Sequence, residues 1–176
     1  MKHLRRTLLL AAASAVFLGA CSDKPADATA SGFSGIDITG ADYAKGFTLT
    51  DHNGQTRSLT DFKGQVVVIF FGFTQCPDVC PTSMGELAQI KAALGADGAR
   101  LQAVFITVDP ERDTPEVLKA YMANFDPSFL ALRPTPEQLP EVTRHFKIFY
   151  RKNEGKTAGS YTLDHSAGSY VFDPQG

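Results

Sequence analysis

The sequence predicts a three-layer α/β domain, and three observations carry that prediction. Two apolar runs, Val66–Phe71, which is unbroken, and Leu101–Val108, which carries only Gln102 and Thr107 as polar residues, have the composition of strands buried on both faces of a sheet. Stripes of apolar residues at helical spacing lie between and after them. Ahead of them, Asn53-Gly54 separates Phe47–Thr50 from Gln55–Ser58, the strongest short signal for a β-hairpin. The order hairpin, strand, helix, strand, helix, helix, strand then describes a mostly central sheet covered by helices.

The elements follow in turn. Met84, Leu87, Ile90 and Leu94 form one face of a helix over Ser83–Leu94. Thr114-Pro115 reads as N-cap and first helical residue of a second helix, with Leu118, Tyr121, Met122 and Phe125 as its stripe. Thr135-Pro136-Glu137-Gln138 opens a third, with Gln138 placed for a capping box and Leu139, Val142 and Phe146 facing inward. Pro140 falls in its first turn. A last strand, Gly168–Phe172, runs into Asp173-Pro174-Gln175-Gly176, a turn that normally leads to a returning strand. The chain is therefore read as a fragment lacking a C-terminal strand and helix.

The amino end reads as an address. Lys2, Arg5 and Arg6 precede the apolar run Leu8–Leu18, which falls short of the roughly 20 residues a spanning helix needs. A secretory signal peptide over residues 1–20 fits. Its end, Leu18-Gly19-Ala20-Cys21, resembles the lipobox of bacterial lipoproteins, in which the cysteine is lipidated. Residues 22–35 are small and polar, and 21–42 is read as a lipidated tether ahead of a domain at 43–176. This places the domain outside the cytoplasm, periplasmic and held at a membrane through lipid on Cys21. Such a compartment is oxidising.

Composition excludes several classes. With 43% apolar and 20% charged residues the chain is globular, not disordered or coiled-coil. The formal net charge is −2, and losing residues 1–20 removes three positive charges and no negative ones, leaving −5. No basic cluster lies beyond the first six residues, so nucleic acid is not a partner. Three cysteines are too few for a disulfide scaffold.

The chemistry concentrates in Phe70–Pro81, FFGFTQCPDVCP, where a buried strand ends and a helix begins. Sites in such sheets gather at the carboxyl ends of strands. A helix N-terminus there lowers a thiol pKa. Pro77 and Pro81 push Cys76 and Cys80 away from helical geometry, so the pair is expected in a looped turn. There it can close a disulfide or put two thiolates on one ion. His165, expected in a loop before the last strand, adds an imidazole. Two thiolates and an imidazole suit copper, Cu(I) on sulfur and Cu(II) with nitrogen, while closed zinc sites need a fourth ligand that spacing does not supply. A plain structural disulfide remains the bland reading. His52 and His145 are taken as structural or solvated, Asp109–Asp113 as a charged turn, and Phe70, Phe71 and Phe73 as core.

The segments FFGFTQCPDVCPTSMGEL, ITVDPERDTPEVLKAY and LDHSAGSYVFDPQG, in this order, resemble the Sco/SenC family. The resemblance covers about residues 45–176. It implies a thioredoxin-like fold, copper bound through Cys76, Cys80 and His165, and a role in building the binuclear copper centre of cytochrome c oxidase. Asp78 and Asp164 match acidic positions that tune the site in the family. The implied partners are the oxidase copper-centre subunit, a copper donor protein and a thioredoxin-like reductant. Two activities are compatible with this: a metallochaperone that passes copper on by ligand exchange, and a thiol–disulfide reductase in which one thiolate of Cys76 and Cys80 attacks and the other resolves, with Cys76 the usual attacking position in this fold. A peroxidase fits less well, because Phe73 stands where that class of enzyme has threonine.

Overall fold

The structure is a computed structural model that describes residues 34–157 and 159–176. The signal peptide, Cys21 and most of the tether read from the sequence lie outside the described residues. Residues 34–40 belong to a separate unit, in which Asp37 accepts from the Thr39 N–H at 2.9 Å. Everything below concerns the unit 41–176.

The hairpin forms as the Asn-Gly signal requires. Strands β1 (Thr48–Asp51) and β2 (Thr56–Ser58) pair antiparallel, and Gly54 takes the left-handed turn position with φ of 81°. The turn is organised by Asp51, whose buried carboxylate accepts from the N–H groups of Asn53 and Gln55 and from Arg57. Strands β3 (Val66–Gly72) and β4 (Leu101–Thr107) run parallel in register from Val66 opposite Leu101 to Gly72 opposite Thr107. Nearly every residue in both is buried, which is why both read as continuous apolar runs.

Helix α1 spans Val79–Ala93, and it begins four residues before the expected Ser83. Cys80 therefore sits inside its first turn, while Cys76 stays in the preceding loop. The proline argument fails for Cys80 because a first-turn residue has no intrahelical acceptor for its N–H, so Pro81 there loses no bond. Helix α2 (Pro115–Met122) starts as expected, with the Thr114 side chain accepting from the Val117 N–H at 3.3 Å. Helix α3 spans Gln138–His145, and Thr135 and Gln138 exchange both capping-box bonds, at 3.0 and 3.3 Å.

The sequence reading missed strand β5 (Leu130–Arg133), which pairs parallel with β4 and antiparallel with β1. It also missed a second sheet, the hairpin of β6 (Tyr150–Glu154) and β7 (Tyr161–His165). The last strand, β8 (Ser169–Phe172), lies antiparallel to β3. The main sheet thus has the order β2-β1-β5-β4-β3-β8, a thioredoxin-like arrangement with β3 and β4 inside it. Phe70, Phe71, Phe105, Phe129 and Phe146 are fully buried around it, each contributing about 1.5–3 kcal/mol of burial free energy. His52 and His145 are structural as read, accepting from the Ala131 and Lys45 N–H groups at 3.1 and 3.0 Å.

Candidate metal centre

The site lies where β3 stops. Gly72 ends that strand, and a Cβ there would sit 2.7 Å from the Cys80 sulfur and 2.9 Å from the Phe105 ring. The glycine that interrupts the apolar run is thus what lets helix α1 bring Cys80 against the sheet. Cys80 has no exposed surface. Cys76 is carried by the intervening loop, where its N–H donates to the Phe73 carbonyl at 3.1 Å.

That loop is pinned from below. The Thr74 N–H and hydroxyl donate to Asp113, the hydroxyl at 2.6 Å, and the Thr107 hydroxyl donates to the same carboxylate at 2.5 Å. Asp113 is fully buried, and desolvation raises its carboxyl above the ordinary range despite these bonds. The segment Asp109–Asp113 is the charged turn before a helix that its sequence suggests, with Glu111 exposed but both aspartates buried. Asp113 ties the cysteine loop to the end of β4 through Thr74 and Thr107.

The third group comes from the second sheet. His165 is the last residue of β7, not a loop residue, because the hairpin was not legible in its polar sequence. Its Nδ1 lies 2.8 Å from the Ser166 carbonyl oxygen and its Nε2 lies 3.4 Å from the Cys80 sulfur. A carbonyl only accepts, so Nδ1 carries a proton and Nε2 faces the thiols. The ring stands edge-on to Phe70 and Phe73, at centroid distances of 6.1 and 5.7 Å. The two sulfurs and the imidazole nitrogen all lie within 4.8 Å of one another. Ligands on opposite sides of one ion at sulfur-type bond lengths are about 4.6 Å apart, so this group needs little closure to hold one ion. Among the described residues no other histidine, cysteine or carboxylate joins the group.

The two thiols are electrostatically unequal. Burial opposes ionisation of Cys76, but the neighbouring His165, the Asp78 N–H and Cys80 together outweigh it and lower the thiol to about 7. Burial pushes the Cys80 thiol strongly up, and the neighbouring Cys76 and Asp113 add to the effect. Cys76 also lines an open cleft of about 450 Å³, walled by Pro77, Val79, Arg112, Tyr161 and His165, to which Cys80 contributes nothing. A reagent or partner thus meets Cys76 first.

Asp78 precedes the first turn of α1, exposed at the cleft rim. Asp164 lies on the face of β7 opposite His165, with its carboxylate 2.8 Å from Arg151. Neither carboxylate joins the three-ligand group. The residues that sequence reasoning missed are Thr74, Arg112, Asp113 and Tyr161. Only the run Asp109–Asp113 was singled out, and burial of its acids cannot be seen in their spacing.

A thioredoxin-like sheet that presents two unequal thiols and an imidazole at its open end defines a dithiol protein of the metal-binding kind. The comparisons narrow this. The SCO1/SenC profile matches residues 37–176, and the chain belongs to that family. It is 44% identical over 131 residues to the SCO2-like protein of Rickettsia prowazekii, covering 74% of this chain and 64% of that protein's length. Bradyrhizobium japonicum ScoI, solved with copper bound, superimposes with a TM-score of 0.70 at 42% identity, over 74% of this chain and 83% of that one. BsSco, a Sco-family cytochrome c oxidase assembly protein in which a disulfide switch was identified, matches at 26% identity with a TM-score of 0.57, over 76% of this chain and 78% of that one.

Proposed function

We propose that Cys76, Cys80 and His165 bind copper and that the chain is a copper metallochaperone, acting in assembly of the binuclear copper centre of cytochrome c oxidase. The observation that carries this reading is the ligand group itself: two sulfurs and a nitrogen within 4.8 Å, the imidazole already holding its proton at Nδ1, away from the sulfurs. Soft thiolates accept Cu(I), and the available nitrogen adds the ligand that Cu(II) requires. Copper-bound ScoI supports the choice of metal. Cys76, at the cleft, is where a partner's cysteine would begin ligand exchange. Asp78 and Asp164 are proposed to tune the site through charge at the rim.

The inequality of the thiols supports a second reading, reduction of the oxidase subunit's copper-ligand cysteines. A thiol near 7 at an open cleft is the attacking group of a dithiol reductant, and a buried neutral partner resolves the mixed disulfide. Either reading takes a copper-donor protein or an external thioredoxin-like reductant as a further partner. It also fits an exported chain, lipid-anchored through Cys21 on the periplasmic side, with 1–20 as signal peptide, 21–42 as tether and 43–176 as the working domain.

The test mixes the copper-loaded chain with the reduced soluble copper-centre domain of an oxidase subunit and, separately, the metal-free dithiol chain with the oxidised domain. Delivery predicts the spectrum of a binuclear copper centre with the reduced domain. Thiols gained by the oxidised domain as Cys76 and Cys80 close to a disulfide, with no metal transferred to the reduced domain, would replace delivery by the reductase reading.

A further inference from the structure

The hairpin that carries His165 is not part of the main sheet: β7 pairs only with β6 among the described strands. A two-stranded hairpin is not stable by itself in water, so the position of His165 depends on what ties the hairpin down. Along β7 the side chains of Tyr161, Leu163 and His165 share one face. Leu163 is buried, but a single leucine contact does not fix direction.

Tyr161 is held on every side. The Arg112 guanidinium lies 3.6 Å from its ring centroid and the Lys152 ammonium 3.9 Å. Two cations this close to one centroid cannot share a face without colliding, so the ring lies between them. The Tyr161 hydroxyl donates to Asp109 at 2.7 Å. Arg112 donates through Nη1 to the Tyr161 carbonyl at 3.0 Å and to Gln75, the neighbour of Cys76, at 3.2 Å. Its Nε pairs with Asp109. Its Nη2 is buried with no hydrogen-bond partner among the described residues, as a guanidinium committed to stacking leaves it. Lys152 in turn reaches Glu111 at 3.3 Å. One residue of β7 is thus tied at once to the cysteine loop, to the segment after β4 and to the opposite strand.

We propose that Tyr161, gripped between Arg112 and Lys152, is a positioning residue that holds His165 over the two thiols. The inference rests on the copper reading above. Its consequence is selective: Cu(II), which needs the imidazole, depends on the grip, and Cu(I), which two thiolates satisfy, does not. The grip acts through the flat ring, so phenylalanine retains it and leucine does not.

The experiment compares the reduced full chain with Tyr161→Leu, Tyr161→Phe and Arg112→Gln. Each is titrated with Cu(II) anaerobically and with Cu(I) in competition, and the apo forms are read for nuclear Overhauser contacts between the His165 and Phe73 rings. Tyr161→Leu and Arg112→Gln are expected to weaken Cu(II) binding at least tenfold, to keep Cu(I) affinity within about threefold, and to lose the ring contacts. Tyr161→Phe is expected to keep both affinities and the contacts. Unchanged Cu(II) affinity with intact ring contacts in Tyr161→Leu would overturn the proposal. So would equal loss of Cu(I) and Cu(II), or a Tyr161→Phe variant as impaired as Tyr161→Leu. If the parent chain bound no copper, the copper reading would fail first, and the apo ring contacts would still decide whether Tyr161 positions His165.

Discussion

Alkylation of the reduced protein reads the inequality of the two thiols directly. With a pKa of about 7, Cys76 is about half thiolate at pH 7, whereas an ordinary thiol at 9.0 is about 1% ionised. That fiftyfold excess of thiolate is offset by lower nucleophilicity, which falls about six- to tenfold over two pKa units. From ionisation and nucleophilicity alone, the expectation at pH 7 is a rate about five- to eightfold above an ordinary exposed cysteine; the burial of Cys76, 9% exposed, lowers the absolute rate but leaves the half-maximal point near pH 7. Above about pH 8 the sign reverses, because the ordinary thiol is by then ionised enough for its greater nucleophilicity to win. Cys80, buried and held neutral, is expected to stay unmodified until the protein unfolds. The assay is iodoacetamide labelling across pH 5–10 with mass-spectrometric assignment of each site, repeated in His165→Ala. Removing His165, which lowers the Cys76 thiol, moves the midpoint upward. A midpoint at 8.5 or above in the parent chain, or labelling of Cys80 before Cys76, would refute the reasoning.

Three further substitutions test the scaffold. Gly72→Ala puts a methyl 2.7 Å from the Cys80 sulfur and 2.9 Å from Phe105, so it is expected to cost about 1–3 kcal/mol in thermal or denaturant unfolding and to weaken copper binding. Asp113→Ala strips the acceptor from Thr74 and Thr107 and is expected to cost about 2–4 kcal/mol, with the cysteine loop losing amide-exchange protection. Asp164→Asn breaks an exposed pair with Arg151, so the unfolding midpoint is expected to stay at the parental value. Any change in copper affinity in that variant then reports charge at the rim.

What was legible in the sequence is what burial writes there. Strands β3 and β4 are buried on both faces, and their composition shows it; the Asn53-Gly54 turn and the Thr114-Pro115 start are local signals that the structure honours. Strand β5 escaped because Leu130–Arg133 is four residues long, too short for periodicity to register. The β6–β7 hairpin escaped because most of its residues face solvent, leaving Leu163 as its single buried apolar side chain. The ligand trio was visible as residue types, but its three-point geometry was not, since His165 reaches Cys80 across 85 positions through that unread hairpin. Asp113 was hidden for the same reason: an acid in a charged run reads as solvated, and only the fold shows it beneath Thr74.

The most direct test of the copper site is titration of the reduced, soluble domain with Cu(II) under anaerobic conditions, followed by visible absorption and electron paramagnetic resonance. The expected result is an intense thiolate-to-copper band saturating at one equivalent, abolished in Cys76→Ser and Cys80→Ser and lost in His165→Ala while Cu(I) binding survives. Copper binding that persists in either serine variant with parental affinity would place the metal elsewhere and contradict the account.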